Sequence, residues 1–223
     1  MEVGQYIKYS IGDVKFSCHV DAVHAQKPSA DMYTGEIVQQ VVGQTGVAGI
    51  VATISRKEMD INRPPAKSNA PAIKEYREAI RKILDSKCLI AESEAGLTKR
   101  YLHIAVHGMR DDHDPPTDFE IGTRHGNSCD EPIATWFRDL LKSHFPSAKI
   151  GMNNTFPGDK SKEFHRRGDP YSEYKGYGDN FNTIQVEISR KLRTGDRAGV
   201  VAFLAAIVTT FDKRFNTANN VDG

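Results

Sequence analysis

The chain has 223 residues, of which 39% are hydrophobic and 26% charged, and its net charge is +1 with histidine neutral. That composition supplies one sizeable core under an ordinary soluble surface. The lack of a basic excess argues against nucleic acid as a partner. Three widely spaced cysteines, Cys18, Cys88 and Cys129, form no CxxC pair. They offer neither a cysteine metal site nor a disulfide framework and suit a reducing, cytoplasmic setting. The N-terminus lacks a basic segment followed by an apolar one, so a secretory signal is not expected. The most apolar stretch, 198–211, falls short of the ~20 residues that span a bilayer and reads as a buried helix.

Along the chain, Phe16, Cys18 and Val20 alternate with Ser17 and His19, which predicts a strand over 15–20. A loop carrying His24, Pro28 and Asp31 follows. Thr34 starts a helix running to about 42, with Glu36 in its first turn and Gly43 and Gly46 to end it. The branched apolar run 47–55 predicts a buried, parallel strand. It feeds into Arg56 and a segment stopped by Pro64 and Pro65. Ile73, Tyr76, Ile80, Ile83 and Leu84 recur at helical spacing over 72–86. On that helix Lys74, Arg77, Arg81 and Lys82 make a basic face that reads as solvated.

A strand over 101–106 ends in His107-Gly108, and an amphipathic helix covers 131–145. A short strand, 149–152, precedes a long irregular loop, 153–182, of a kind that is often functional. A strand over 183–189 carries Glu187, and a last helix spans 196–215. No repeat or linker divides the chain, so one α/β domain over 1–223 is expected, with a mixed, mostly parallel sheet flanked by helices. In such sheets ligands collect beyond the carboxyl ends of strands, and Arg56, His107 and Glu187 all sit there.

A zinc hydrolase needs two or three histidine or carboxylate ligands, an open coordination position, a carboxylate base and a cation for the oxyanion. His24, His107, Asp31, Glu187 and Arg56 supply those types. Taken singly, each also fits a structural role. His24 fits a loop histidine, His107 a strand terminus, Asp31 a helix cap and Glu187 an exposed strand residue. Arg56 and Arg63 equally suit ion pairs with Glu58 or Asp60.

Motifs unite them. The stretch Ser55-Arg56-Lys57-Glu58-Met59-Asp60-Ile61-Asn62-Arg63-Pro64-Pro65 resembles the SR…DLNRP signature of N-formylglutamate amidohydrolases. Ile121-Gly122-Thr123-Arg124-His125-Gly126-Asn127-Ser128-Cys129 resembles the family's LGTxxGxSC segment, and Gln185-Val186-Glu187 its late QLE strand. His107-Gly108 falls where the family has a strand ending in His-Ser or His-Gly. Two stretches depart from the pattern. Val23-His24-Ala25-Gln26 stands in place of a Pro-His-x-Gly element, and Phe156-Pro157-Gly158-Asp159 in place of a Gly-Gly pair.

The resemblance implies a zinc-carboxypeptidase-like (phosphorylase/hydrolase-like) fold, similar to aspartoacylase and to poly-γ-glutamate hydrolases. It implies one Zn2+ per chain, held by His24, His107 and a carboxylate: Asp31, with Glu36 as the alternative. It makes Glu187 the general base and gives Arg56 one of two roles, polarising the scissile carbonyl or sharing the grip on the substrate carboxylate. Asn62 and Arg63 become the grip on a substrate carboxylate, and Arg124 a further substrate contact. The implied reaction is hydrolysis of an amide in a small acidic N-acyl amino acid such as N-formylglutamate. The alternatives are a γ-glutamyl polymer or peptide C-terminus as substrate and, in another class, a metal-free carboxylate-binding protein. Neither nucleic acid nor membrane is an expected partner, and the oligomeric state stays open.

Overall fold

A computed structural model describes residues 1–91, 96–159 and 176–217. Among the described residues, thirteen elements run in the order β1 (Glu2–Val3), β2 (Ile7–Ser10), β3 (Cys18–Ala22), α1 (Thr34–Thr45), β4 (Ala48–Ala52), α2 (Ala70–Ser86), β5 (Tyr101–Met109), β6 (Phe119–Gly122), α3 (Glu131–His144), β7 (Ile150–Met152), β8 (Phe181–Ser189), α4 (Arg190–Gly195) and α5 (Arg197–Phe215). Eight strands form one mixed sheet in the order β1-β2-β4-β3-β5-β8-β6-β7. The four central strands, β4, β3, β5 and β8, are mutually parallel. Antiparallel pairings, β2 with β4 and β6 with β8, flank them.

Alternation along the central strands sorts residues to two covered faces. Leu102, Ile104 and Val106 of β5 and Ile184, Val186 and Ile188 of β8 join the core beneath α1, α3 and α5. Tyr101 and Phe181 belong to the opposite core, beneath α2. His103 and His107 therefore share the α2 side with His19, Asp21 and Glu187. Glu187 lies on an interior strand and is only 7% exposed.

The expected elements recur with shifted ends. Helix α1 passes Gly43 and stops at Gly46, whose left-handed backbone (φ 76°) closes the helix with a bond to the Val42 carbonyl. The expected strand over 15–20 begins only at Cys18. The segment expected as a loop over 153–182 falls partly outside the described residues, and its last two residues already belong to β8. Strands β1, β2 and β6 and the short helix α4 were not anticipated. Asp196 separates α4 from α5, and its side chain accepts from the Gly199 N–H. No described helix is long and apolar enough to cross a membrane.

Candidate active site

The parallel strands β3, β5 and β8 direct their carboxyl ends to one edge of the sheet. In register, His107 of β5 lies beside Glu187 of β8. His24 follows β3 in a loop that returns to Asp31, closed by a bond from the Asp31 N–H to the His24 carbonyl at 2.8 Å. The segment after β4 staples that loop. Ser55 Oγ donates to the Pro28 carbonyl at 2.6 Å, and Arg56 Nε donates to the Ser29 carbonyl at 2.7 Å.

His24, Asp31 and His107 thereby converge in a buried cluster. Asp31 Oδ2 lies 3.4 Å from His24 Nδ1 and 3.2 Å from His107 Nδ1. Ligands of a tetrahedral cation with bonds of ~2.1 Å are separated by about 3.4 Å, which is the distance of the Asp31 oxygen from each imidazole nitrogen. The two imidazoles cross at 76°, so lone pairs lying in the ring planes can meet at one point. His24 Nε2 faces Asp60 Oδ1 at 2.9 Å. That bond assigns the proton to Nε2 and leaves Nδ1 with its lone pair as an acceptor. In this structure Nδ1 accepts from Arg56 Nη1 at 3.0 Å, and Arg56 Nη2 reaches Asp31 Oδ1 at 2.9 Å.

The charges are strongly coupled. Burial would raise the Asp31 carboxyl, but the hydrogen bond from His107 and the close approach of the His24 imidazole outweigh it and hold it far below the usual carboxylate range. Burial works against a charged His107, yet the bond to Asp31 and the charge of Glu187 push its pKa up. Glu187 is raised, first by burial and then by the negative charge of Asp31. Gln185 Nε2 donates to Glu187 Oε1 at 3.1 Å and orients it.

These groups open into a pocket of about 320 Å³. Asn62, Arg63 and Arg56 line one side, and Thr155 to Asp159 the other. Asp60 Oδ1 accepts from the Asn62 N–H at 2.8 Å, and Arg63 Nη1 donates to the Asn62 carbonyl at 2.7 Å. Arg124 does not line the pocket. It stands in the turn after β6, in a left-handed conformation (φ 49°), and its N–H holds the Pro157 carbonyl at 2.7 Å. Glu36, the alternative carboxylate, is exposed on α1.

Three residues enter that the sequence reading did not assign. Asp60 serves His24 as described. Glu120 of β6 stands opposite Glu187 in register and accepts from the Phe156 N–H at 2.6 Å, so it anchors the pocket wall. Gln185, quoted only as part of a motif, positions Glu187. For Asp60 the available signal was its place two residues before Asn62.

A second His–Asp–His group, His19, Asp21 and His103, lies deeper on the same face. It is built differently. The His19 and His103 rings stack parallel, 1° apart in orientation at 4.3 Å, so their planes lie side by side instead of crossing. Asp21 instead accepts from His103 Nε2 at 2.9 Å and from the Tyr76 hydroxyl. Burial would raise Asp21, but the charge and hydrogen bond of His103 outweigh it and bring the pKa from 3.8 to about 2. A carboxyl depressed in the folded state adds stability above its unfolded pKa and loses it as pH falls toward the folded one. We expect Asp21→Asn to lower unfolding free energy at neutral pH by on the order of 2 kcal/mol. The deficit should shrink between pH 4 and 2 in urea titrations, and a constant deficit across that window would show that lost packing is the cause.

A sequence model of the N-formylglutamate amidohydrolase family matches residues 74–193, which is more than half of the chain. The chain belongs to the N-formylglutamate amidohydrolase family. Membership places it among amidohydrolases. No curated protein is matched. The crystal structure of N-formylglutamate amidohydrolase from Ralstonia eutropha JMP134 superposes with a TM-score of 0.64 at 14% identity, covering 95% of this chain and 98% of that one. A gene product of Agrobacterium tumefaciens superposes equally well, with a TM-score of 0.64, 14% identity and coverage of 95% and 96%. The Ralstonia eutropha amidohydrolase thus shares this fold at low identity. A metallo-carboxypeptidase from Burkholderia cenocepacia aligns at a TM-score of 0.48 and 14% identity, over 88% of this chain and 57% of that one.

Proposed function

We propose that the chain hydrolyses the amide bond of a small N-acyl amino acid bearing a free carboxylate, N-formylglutamate among them, with one zinc ion held by His24, Asp31 and His107. The observation that carries this reading is the approach of two crossed imidazole Nδ1 atoms to one Asp31 oxygen, at 3.4 and 3.2 Å, beside a buried glutamate. Two nitrogens and one carboxylate oxygen form a donor set suited to zinc, with a coordination position left for substrate or water.

A zinc ion bound there supplies Lewis-acid chemistry, acidifying water and polarising a carbonyl oxygen. The chain's own groups perform the remaining work. Glu187, held by Gln185 and raised by burial, accepts the proton of the attacking water and returns it to the leaving nitrogen. His24 Nδ1 has a single in-plane lone pair, so it serves either Arg56 or a cation. When a cation takes it, Arg56 Nη1 is released at the edge of the pocket that Arg56 already lines, and its charge favours the developing oxyanion. Asn62 and Arg63 orient the substrate by its carboxylate, through hydrogen bonds strengthened by charge. A volume of about 320 Å³ is at the small end of ligand sites and suits one acyl amino acid better than a polymer groove.

The test is amine release from a panel of N-acyl amino acids by the zinc-loaded protein, in wild type and Arg63→Met. Losing a charge-assisted grip costs about 2–3 kcal/mol. We expect kcat/KM to fall ~30- to 150-fold for carboxylate substrates and less than ~3-fold for the same substrates capped as amides. Equal losses on both sets would remove Arg63 from substrate binding. No turnover of any panel member by zinc-loaded wild type would leave a carboxylate-binding protein.

A further inference from the structure

Arg193 is a cation buried to 4% exposure, and among the described residues it pairs with no carboxylate and is not part of the pocket lining. Its guanidinium instead donates to three backbone carbonyls on three separate segments. Nε reaches the Ile188 carbonyl at 2.9 Å, Nη2 reaches Met109 at 2.9 Å, and Nη1 reaches Met32. Each acceptor lies one or two residues beyond a site residue. Met32 follows Asp31, Met109 is two past His107, and Ile188 follows Glu187. A rigid planar fork with fixed donor directions is the side chain that can hold three such points at once, which a lysine cannot.

Two further observations point the same way. A Cβ at Gly108 would lie 2.4 Å from Arg193 Cζ, so only glycine beside His107 leaves room for the fork. The segment it grips is also strained. Tyr33 adopts a left-handed backbone (φ 72°), which an aromatic residue adopts only when its surroundings impose it. Arg197, the first residue of α5 and four positions after Arg193, stacks its guanidinium over the Tyr33 ring at 4.7 Å. Two cations from the junction of α4 and α5 thus grip consecutive residues, Met32 and Tyr33, immediately after Asp31.

We propose that Arg193, assisted by Arg197 and by the missing side chain at Gly108, is a positioning residue that sets the geometry of the metal site. It ties the Asp31 segment to the ends of β5 and β8, so that Asp31, His107 and Glu187 are held at fixed separation. The link to metal affinity rests on the zinc reading above; the mechanical link does not. Ligands that are held in place before the ion arrives lose less freedom on binding it, so a loosened clamp weakens zinc without removing any ligand.

Two variants and two readouts test it. Arg193→Lys keeps the charge and loses the fork, while Gly108→Ala keeps the fork and displaces it. Zinc affinity is measured by competition with a chelator, and hydrogen exchange is followed in the metal-free protein. We expect zinc affinity to fall about 10- to 100-fold in both variants. Amide exchange should rise in 29–36 while β3 and β4 keep their protection. Zinc affinity equal to wild type in folded Arg193→Lys, or exchange that rises evenly through the sheet, would overturn the clamp. A wild type that binds no zinc sinks the zinc reading instead, and the exchange pattern then decides the clamp alone.

Discussion

Glu187→Gln is expected to keep its zinc and lose about 10³-fold in kcat, within the 10²- to 10⁴-fold range typical of a general base. The substitution preserves shape and the contact with Gln185, so a loss of that size reports the missing proton acceptor. The pH profile makes the assignment sharper. Burial, and secondarily the charge of Asp31, hold the Glu187 carboxyl above its ordinary value. The base must be ionised, so wild-type kcat/KM should fall on the acid side as Glu187 takes up its proton. The residual activity of the variant should be flat over the same limb. Profiles recorded at saturating zinc decide this, and an acid limb surviving in Glu187→Gln would assign the base elsewhere. Stability runs in the opposite direction. A carboxyl whose folded pKa is raised binds more protons folded than unfolded between the two values, so its ionisation costs stability as pH rises through that window. Metal-free Glu187→Gln should therefore melt no lower than wild type at neutral pH.

The fold was legible where hydrophobic periods were long. Strand β5, with Leu102, Ile104 and Val106 facing one way and His103 and His107 the other, could be read directly. So could the apolar stripe of α2, because each pattern runs through several repeats. Strand β2 shows the same alternation in Ile7 and Tyr9, but over four residues, and β6 is equally short. A pattern of two apolar positions does not rise above chance in a single sequence. The site divides along the same line. His24, Asp31, His107 and Glu187 became candidates because their types suit zinc chemistry and because motifs in fixed order surround them. Asp60 was visible in the SR…DLNRP segment, but it was weighed there only as an ion-pair partner for arginine. Only the return of the loop after β3 brings His24 Nε2 to within 2.9 Å of it. Glu120 and Arg193 were out of reach for a related reason. Their roles depend on the antiparallel register of β6 with β8, and on three carbonyls contributed by segments 161, 84 and 5 residues away.

The presence of two His–Asp–His groups makes metal stoichiometry the most informative single measurement. Wild type should bind one zinc per chain, and His107→Ala should bind none at concentrations that saturate wild type, with amide hydrolysis lost alongside it. The reason lies in lone-pair direction. His24 and His107 cross at 76° and both place Nδ1 within 3.4 Å of Asp31 Oδ2, whereas the parallel rings of His19 and His103 are committed to Tyr101 and to Asp21 and Thr183. Asp21→Asn should accordingly retain its zinc, because Asp21 is engaged by Tyr76 and His103 and contributes to folding. Zinc should also protect the wild type against heat, by about 2.7 kcal/mol at a free concentration 100 times its dissociation constant. That protection should vanish in His107→Ala and persist in Asp21→Asn. The reverse pattern, with zinc kept by His107→Ala and lost by Asp21→Asn, would place the ion in the deeper cluster. The site at the strand ends would then have to bind carboxylates through Arg56, Asn62 and Arg63 without a metal.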